Sequence, residues 1–341
     1  MDSHAEGFKA QAFSNYTHAE GYNTTAGNDT PTGGYCAHAE GNGTTASGQH
    51  SHSEGQNSTA AGTNAHAEGY NSNAKYLDSH AEGFGTKGFS SYTHAEGYNT
   101  TAGNDTANGG YCAHAEGNTT TASGQQSHAE GLTTLASGTN AHSEGQLTTA
   151  SGKSSHAEGS GISSKRLVAE GDFSHAEGAC TYAKGNASHA EGYNTVAEGG
   201  NSHAEGADTQ TKNGQEHAEG RFNLSHKAEV NPEHWGNAGN TVHSIGIGTS
   251  ESNRMNAVEV MQNGDIYIKG LGNYDGTTIT DKQNLVQVVS GVLQQLDGFE
   301  DVLDEIIGNG KPPMDYGYLF VDTAPENVGG VQTITLRNYC T

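Results

Sequence analysis

Residues 127–145 read Ser127-His-Ala-Glu-Gly-Leu-Thr-Thr-Leu-Ala-Ser-Gly-Thr-Asn-Ala141-His-Ser-Glu-Gly. The tetrapeptide His-Ala-Glu-Gly returns as His-Ser-Glu-Gly after 14 residues, and an Ala-x-Gly core returns after seven. Along the chain the motif His stands at 4, 18, 38, 52, 66, 80, 94, 114, 128, 142, 156, 175, 189, 203 and 217, so 15 of the 19 His are motif residues. Eleven of the fourteen intervals are 14 residues, and the exceptions are 20, 20 and 19. A fixed period of this kind is the mark of a stacked repeat, in which each unit contacts its neighbours. Two Gly per repeat exclude a helix, since each costs roughly 1 kcal/mol relative to Ala. Strands of about five residues with Gly at the corners fit instead, two strands to each 14-residue coil.

Strand alternation then assigns the faces. In Ser-His-Ala-Glu-Gly the Ser and Ala share one side and the His and Glu the other; in Thr-Thr-Ala-Ser-Gly the first Thr and the Ala share a side. The small, uncharged side common to both half-turns is expected inside. Such an interior is thin, and the apolar area it hides is small beside the chain entropy it has to offset. A second buried surface is therefore expected, and the outward columns supply the candidate. They comprise the pairs His18 and Glu20, His38 and Glu40, His52 and Glu54, His66 and Glu68, His80 and Glu82, His94 and Glu96, and His114 and Glu116. They continue through His128 and Glu130, His142 and Glu144, His156 and Glu158, His175 and Glu177, His189 and Glu191, and His203 and Glu205. Uniform columns of hydrogen-bonding groups suit a symmetric interface between copies of the chain, with His and Glu bonded in layers about an axis.

Composition agrees with a repeat. The 341 residues include 50 Gly, 31% hydrophobic and 16% charged residues, too little apolar material for one large core. A formal charge of −24 excludes nucleic-acid backbones and anionic bilayers as electrostatic partners. No apolar run of about 18 residues marks a membrane span, and the start Met-Asp-Ser-His has no secretory-signal pattern, which suggests a fragment or release by lysis or assembly. The four Cys make no disulfide framework, and Cys36 and Cys112, five coils apart, are expected to be free thiols.

Residues 2–55 match 78–131 at an offset of 76, a duplicated block. The long intervals place extra residues at corners, at Asn28–Gly33, Asn104–Gly109 and Ile162–Arg166. Four regions are expected: a repeat array at 1–222, a β-rich neck at 223–280, a coiled-coil helix at 281–308 and a β tip at 309–341. In the neck, Asn263-Gly264 between Val258-Glu-Val-Met and Ile266-Tyr-Ile predicts a hairpin. Leu285, Val289, Val292, Leu296, Phe299, Leu303 and Ile306 are spaced 4, 3, 4, 3, 4, 3, a seam expected to form a short trimeric coiled coil. In the tip, Tyr316-Gly-Tyr-Leu-Phe-Val and Val331-Gln-Thr-Ile-Thr-Leu read as two strands.

The residues of 2–222 resemble the heads of YadA-like trimeric autotransporter adhesins, whose 14-residue repeats carry a Ser-Val-Ala-Ile-Gly strand with two large residues facing the trimer axis. Here His and Glu stand at those positions. The His-Ala-Glu-Gly spelling is still more similar to repeats in phage and prophage tail fibres and tail spikes. In those proteins the array runs into segments like Gln215-Glu-His-Ala-Glu-Gly-Arg-Phe-Asn, His243-Ser-Ile-Gly-Ile-Gly-Thr-Ser and Arg254-Met-Asn-Ala-Val-Glu-Val-Met. The resemblance implies an all-β fold: a trimeric left-handed parallel β-roll, then the β neck, coiled coil and tip. It implies a homotrimeric attachment protein of the virion tail, contacting other tail proteins and a host cell-surface glycan or protein. No secretory signal or membrane anchor is evident, which favours the phage form over a bacterial surface adhesin.

No catalytic residue, metal site or cofactor is assigned. His-x-Glu on a strand offers two metal-capable groups to one face, but a near-invariant column reads as scaffolding. A tail-spike glycan hydrolase is the alternative, and it needs two carboxyls in different environments. For the columns themselves two states stay open. Either Glu raises the pKa of its neighbouring His, or neutral His donates to Glu.

Overall fold

In the computed structural model, residues 2–28, 33–271 and 274–278 are described, with residues 285, 287–292 and 294 as helix and four short strands beyond residue 318. The chain divides into two compact units, 1–285 and 286–341.

The first unit is a parallel β-solenoid with a 14-residue turn. Its motif strands, such as His128–Leu132 and His142–Gln146, join one 18-stranded sheet, and the shorter strands of the second half-turn, such as Leu135–Ala136, join a 14-stranded one. Stacking is parallel and in register, with His128 beside His142, Ala129 beside Ser143, Glu130 beside Glu144 and Gly131 beside Gly145. Like residues therefore lie over like in every coil, and a 14-residue period in sequence becomes a column in space.

The expected interior is the observed one. Ala129, Ala136, Ala150 and Ala157 are fully buried, as are Thr100, Thr120 and Thr195 of the second half-turn. In several coils the hydroxyl before the motif His also closes the preceding corner: Ser127 and Ser155 donate to the carbonyls of Gly124 and Gly152, each at 2.8 Å. Leu167, the largest fully buried side chain, replaces the Thr of this position just after the third insertion.

The glycines differ from expectation. The motif Gly lies within the strand, and the corner is taken by a residue in the left-handed region, recurring every seven positions at Thr133, Asn140, Leu147 and Ser154. Asn and Asp tolerate that conformation best among non-glycine residues. Gly131 itself has φ +110°, and a Cβ built there would overlap the carbonyl oxygen of Gly145 in the next coil. Close approach of successive backbones thus requires the motif glycine.

Two insertions are fixed on the solenoid. Asn104–Gly109 is held by Lys75 Nζ on Asp105 at 2.5 Å and by the Tyr76 hydroxyl donating to the Asp105 carbonyl at 3.0 Å. In Ile162–Arg166, Ile162 and Lys165 bridge as a tight turn, and the Arg166 guanidinium donates to the carbonyls of Thr133 and Thr148. Residues 29–32 of the first insertion lie outside the described residues.

The main sheet runs beyond residue 222. Strand Thr241–Ile247 adds in parallel to His217–Arg221, placing His243 over His217, Ser244 over Ala218 and Gly246 over Gly220. Asn256–Met261 then adds antiparallel, and Ile266–Ile268 pairs with it through the expected Asn263-Gly264 turn. Cys36 and Cys112 are free thiols, as is Cys180.

Leu285, Val289 and Val292 are helical, while Leu296, Phe299, Leu303 and Ile306 lie outside the described residues. In the second unit Leu319–Val321 pairs antiparallel with Leu336–Asn338, and Glu326–Val328 with Val331–Thr333. The stretch read as a single strand from Val331 is thus divided between two pairs.

Candidate functional site

Alternation places His and Glu of every motif strand on the outer face of the larger sheet, and in-register stacking turns them into two parallel columns. Successive rings from His4 to His243 have centroids 4.6–5.1 Å apart. Ring planes are inclined by 51° between His18 and His38 but by only 2° between His128 and His142, so the stack becomes regular toward the C-terminal half. From His38 to His203 the side chains stay 31–42% exposed, which leaves an edge of each ring open.

Within a strand the His Nε2 faces its own Glu at distances such as 3.9 Å for His38 with Glu40 and 3.7 Å for His66 with Glu68. These separations exceed an N–H···O hydrogen bond. Accordingly the Nε2 atoms of His38, His52, His66, His128 and His175 are buried and have no hydrogen-bond partner among the described residues. In the C-terminal half the carboxylates also reach the next coil: Glu205 Oε1 is 3.4 Å from His217 Nε2, and Glu219 Oε1 is 3.4 Å from His243 Nε2.

Of the two states open for the columns, the geometry favours neutral imidazole. Burial, followed by the neighbouring His, lowers the pKa of His38, His66, His114, His156, His189 and His203 despite the adjacent Glu, and burial and His128 do the same for His142. The state in which Glu lifts these groups is therefore disfavoured: one carboxylate beyond hydrogen-bond length does not offset burial between two like rings.

The carboxyl column cannot ionise uniformly either. Glu191 is pushed up to about 7 by its hydrogen bond with Glu177, by burial and by Glu205, while Glu177 and Glu205 are lowered mainly by their bonds to Glu191. Neighbouring carboxyls share protons when they are this close. Beside them runs an open groove of ≈ 580 Å³, lined by Glu144, Glu158, Glu177 and Glu191 with Gly159, Gly178, Gly192 and Gly206.

The structure brings all the expected pairs from His18–Glu20 through His203–Glu205 onto this face and adds His217, Glu219 and His243. Sequence reading missed the polar groups that close the solenoid. Glu216 takes the inward position held elsewhere by Ser, Thr or Ala and accepts hydrogen bonds from Lys212 N, Asn213 N, Asn213 Nδ2 and the Ser225 hydroxyl at 2.8–3.0 Å. Burial pushes its pKa up to about 7. Next to it, fully buried Glu259 accepts from the Thr241 hydroxyl at 2.5 Å and the Tyr274 hydroxyl at 3.0 Å and lies 2.6 Å from His226 Nδ1. Glu216 was legible as the sole acidic residue at its place in the 15 motifs. The Glu259 cluster had no periodic signal.

No protein-family model matches the chain, and no curated protein matches it either.

Proposed function

We propose that this chain is a structural attachment protein: a homotrimeric fibre segment of a phage or prophage tail, in which three left-handed solenoids pack through their His/Glu faces. The observation that carries this reading is the unbroken, half-open His/Glu ladder standing over an interior of Ala, Ser and Thr. A thin interior leaves stability to be gained elsewhere, and the open edges of neutral His beside Glu offer donors and acceptors to another copy. The glycine-lined groove next to the carboxyl column gives a partner's side chains room to enter. The pinned loops at Asn104–Gly109 and Ile162–Arg166, or the C-terminal tip, would meet a host cell-surface glycan or protein, since rigidly held loops are the usual recognition elements. The helical Leu285, Val289 and Val292 would begin the trimeric coiled coil. No catalytic role is proposed, because Glu177, Glu191 and Glu205 differ in proton affinity chiefly through their bonds to one another and not through separate acid and base environments.

Labelled full-length protein incubated with a panel of bacterial cells and their purified surface polysaccharides tests this reading. Saturable attachment to some strains with no released sugar is expected. Release of reducing sugar would replace the attachment reading with a glycan hydrolase, and absence of attachment across the panel would remove it.

A further inference from the structure

The His/Glu ladder is uniform in sequence but not in geometry. From His38 to His142 the carboxylates that approach a ring nitrogen belong to its own strand, as in His52 with Glu54 at 3.7 Å. Further along, a carboxylate spans two coils. Glu177 places Oε2 3.8 Å from His175 Nε2 and Oε1 3.8 Å from His189 Nε2; Glu191 stands 3.7 Å from His189 and 3.9 Å from His203 in the same way.

We propose that this stretch is a divalent transition-metal site of the zinc class, with the ion held by His–Glu–His sets from successive coils of one chain. Three such sets have their ligand atoms within 4.8 Å of one another: His156, Glu158 and His175; His175, Glu177 and His189; His189, Glu191 and His203. Two imidazoles and one carboxylate form a borderline N/O set suited to zinc, leaving one tetrahedral position open. The spacing also fits. Ligand atoms about 2.0–2.2 Å from one tetrahedral ion lie roughly 3.4 Å apart, a few tenths of an ångström inside the N···O separations of Glu177 and Glu191 with their two rings, and the stacked ring nitrogens, within 4.8 Å of one another, turn toward the ion to close the rest. A direct hydrogen bond would need the pair closer still. The Nε2 atoms of His156, His175, His189 and His203 are buried without a hydrogen-bond partner among the described residues, so their lone pairs are uncommitted. The groove along Glu158, Glu177 and Glu191 opens beside these same coils and gives an ion its approach.

Neighbouring sets share a His, so the middle set competes with both others, and at most two ions are held per chain at once. The ligands come from one chain, so the site does not rest on the trimer proposed above.

Titration of chelator-treated full-length protein with Zn²⁺ tests the site, with Co²⁺ as a spectroscopic probe. Two equivalents per chain and a tetrahedral Co²⁺ visible band are expected. The double variant His175→Ala/His189→Ala breaks all three sets and should lose both equivalents. His52→Ala/His66→Ala removes two His of the same motif outside the sets and should retain both. Folding is read by circular dichroism; if the first variant does not fold, Glu158→Gln/Glu177→Gln/Glu191→Gln keeps the ring stack and should weaken binding at least about tenfold. No binding, binding to nearly every coil, equal loss in the His52/His66 control, or full affinity in the Gln variant overturns the proposal.

Discussion

His142 and His156 stand one coil apart with ring centroids separated by 4.8 Å and planes 2° from parallel. Both groups are lowered from the usual His value, first by burial and then by a neighbouring ring of the stack, His128 for His142 and His142 for His156. The sign of the linkage follows. A base whose folded pKa lies below its unfolded one contributes stability that is complete above about 6.5 and lost as pH falls through the folded value. Proton NMR of the imidazoles should therefore give midpoints below 6.5 for His38, His66, His114, His142, His156, His189 and His203. Midpoints above it would restore the Glu-dominated state that the structure disfavours.

Glu216 has the opposite dependence. With its folded pKa raised to about 7, its contribution is fully present below the unfolded carboxyl value near 4.3 and lost as pH rises through about 7. Glu216→Gln keeps the neutral shape and an oxygen for the donors of Lys212, Asn213 and Ser225. The variant should match the parent at pH 5 and melt at higher temperature than the parent at pH 9. A parent more stable than the variant at pH 9 would show that the buried carboxylate is favoured.

Gly131→Ala sets a Cβ against the Gly145 carbonyl at a residue with φ +110°. Overlap with backbone has no flexible side chain to yield, so a loss on the order of 3 kcal/mol is expected in denaturant unfolding. Asn140→Gly, at a corner with φ 56°, should change stability by less than about 1 kcal/mol, since glycine is at ease there. Equal effects would contradict the close-approach explanation.

The solenoid was legible because its information is periodic. Fifteen copies of one tetrapeptide fix both the coil length and the inward residues, and alternation alone put Ala129 inside and His128 and Glu130 outside. The corner was misplaced because Gly131 reads as a turn residue, when backbone proximity is what requires it. At the closing end the repeat signal stops, and Glu259 meets His226 and Tyr274 from positions 33 and 15 residues away. Such contacts depend on how the hairpin lies across the last coil, which no spacing rule expresses. Bridging by Glu177 and Glu191 was likewise hidden, because the motif is spelled identically in coils where no carboxylate spans two rings.

Packing of the His/Glu face against further copies of the chain is the central claim, and sedimentation equilibrium of the full-length protein at neutral pH tests it most directly. A mass three times the 35.3 kDa of one chain is predicted at micromolar concentration. A folded species holding at 35.3 kDa as concentration rises would contradict it.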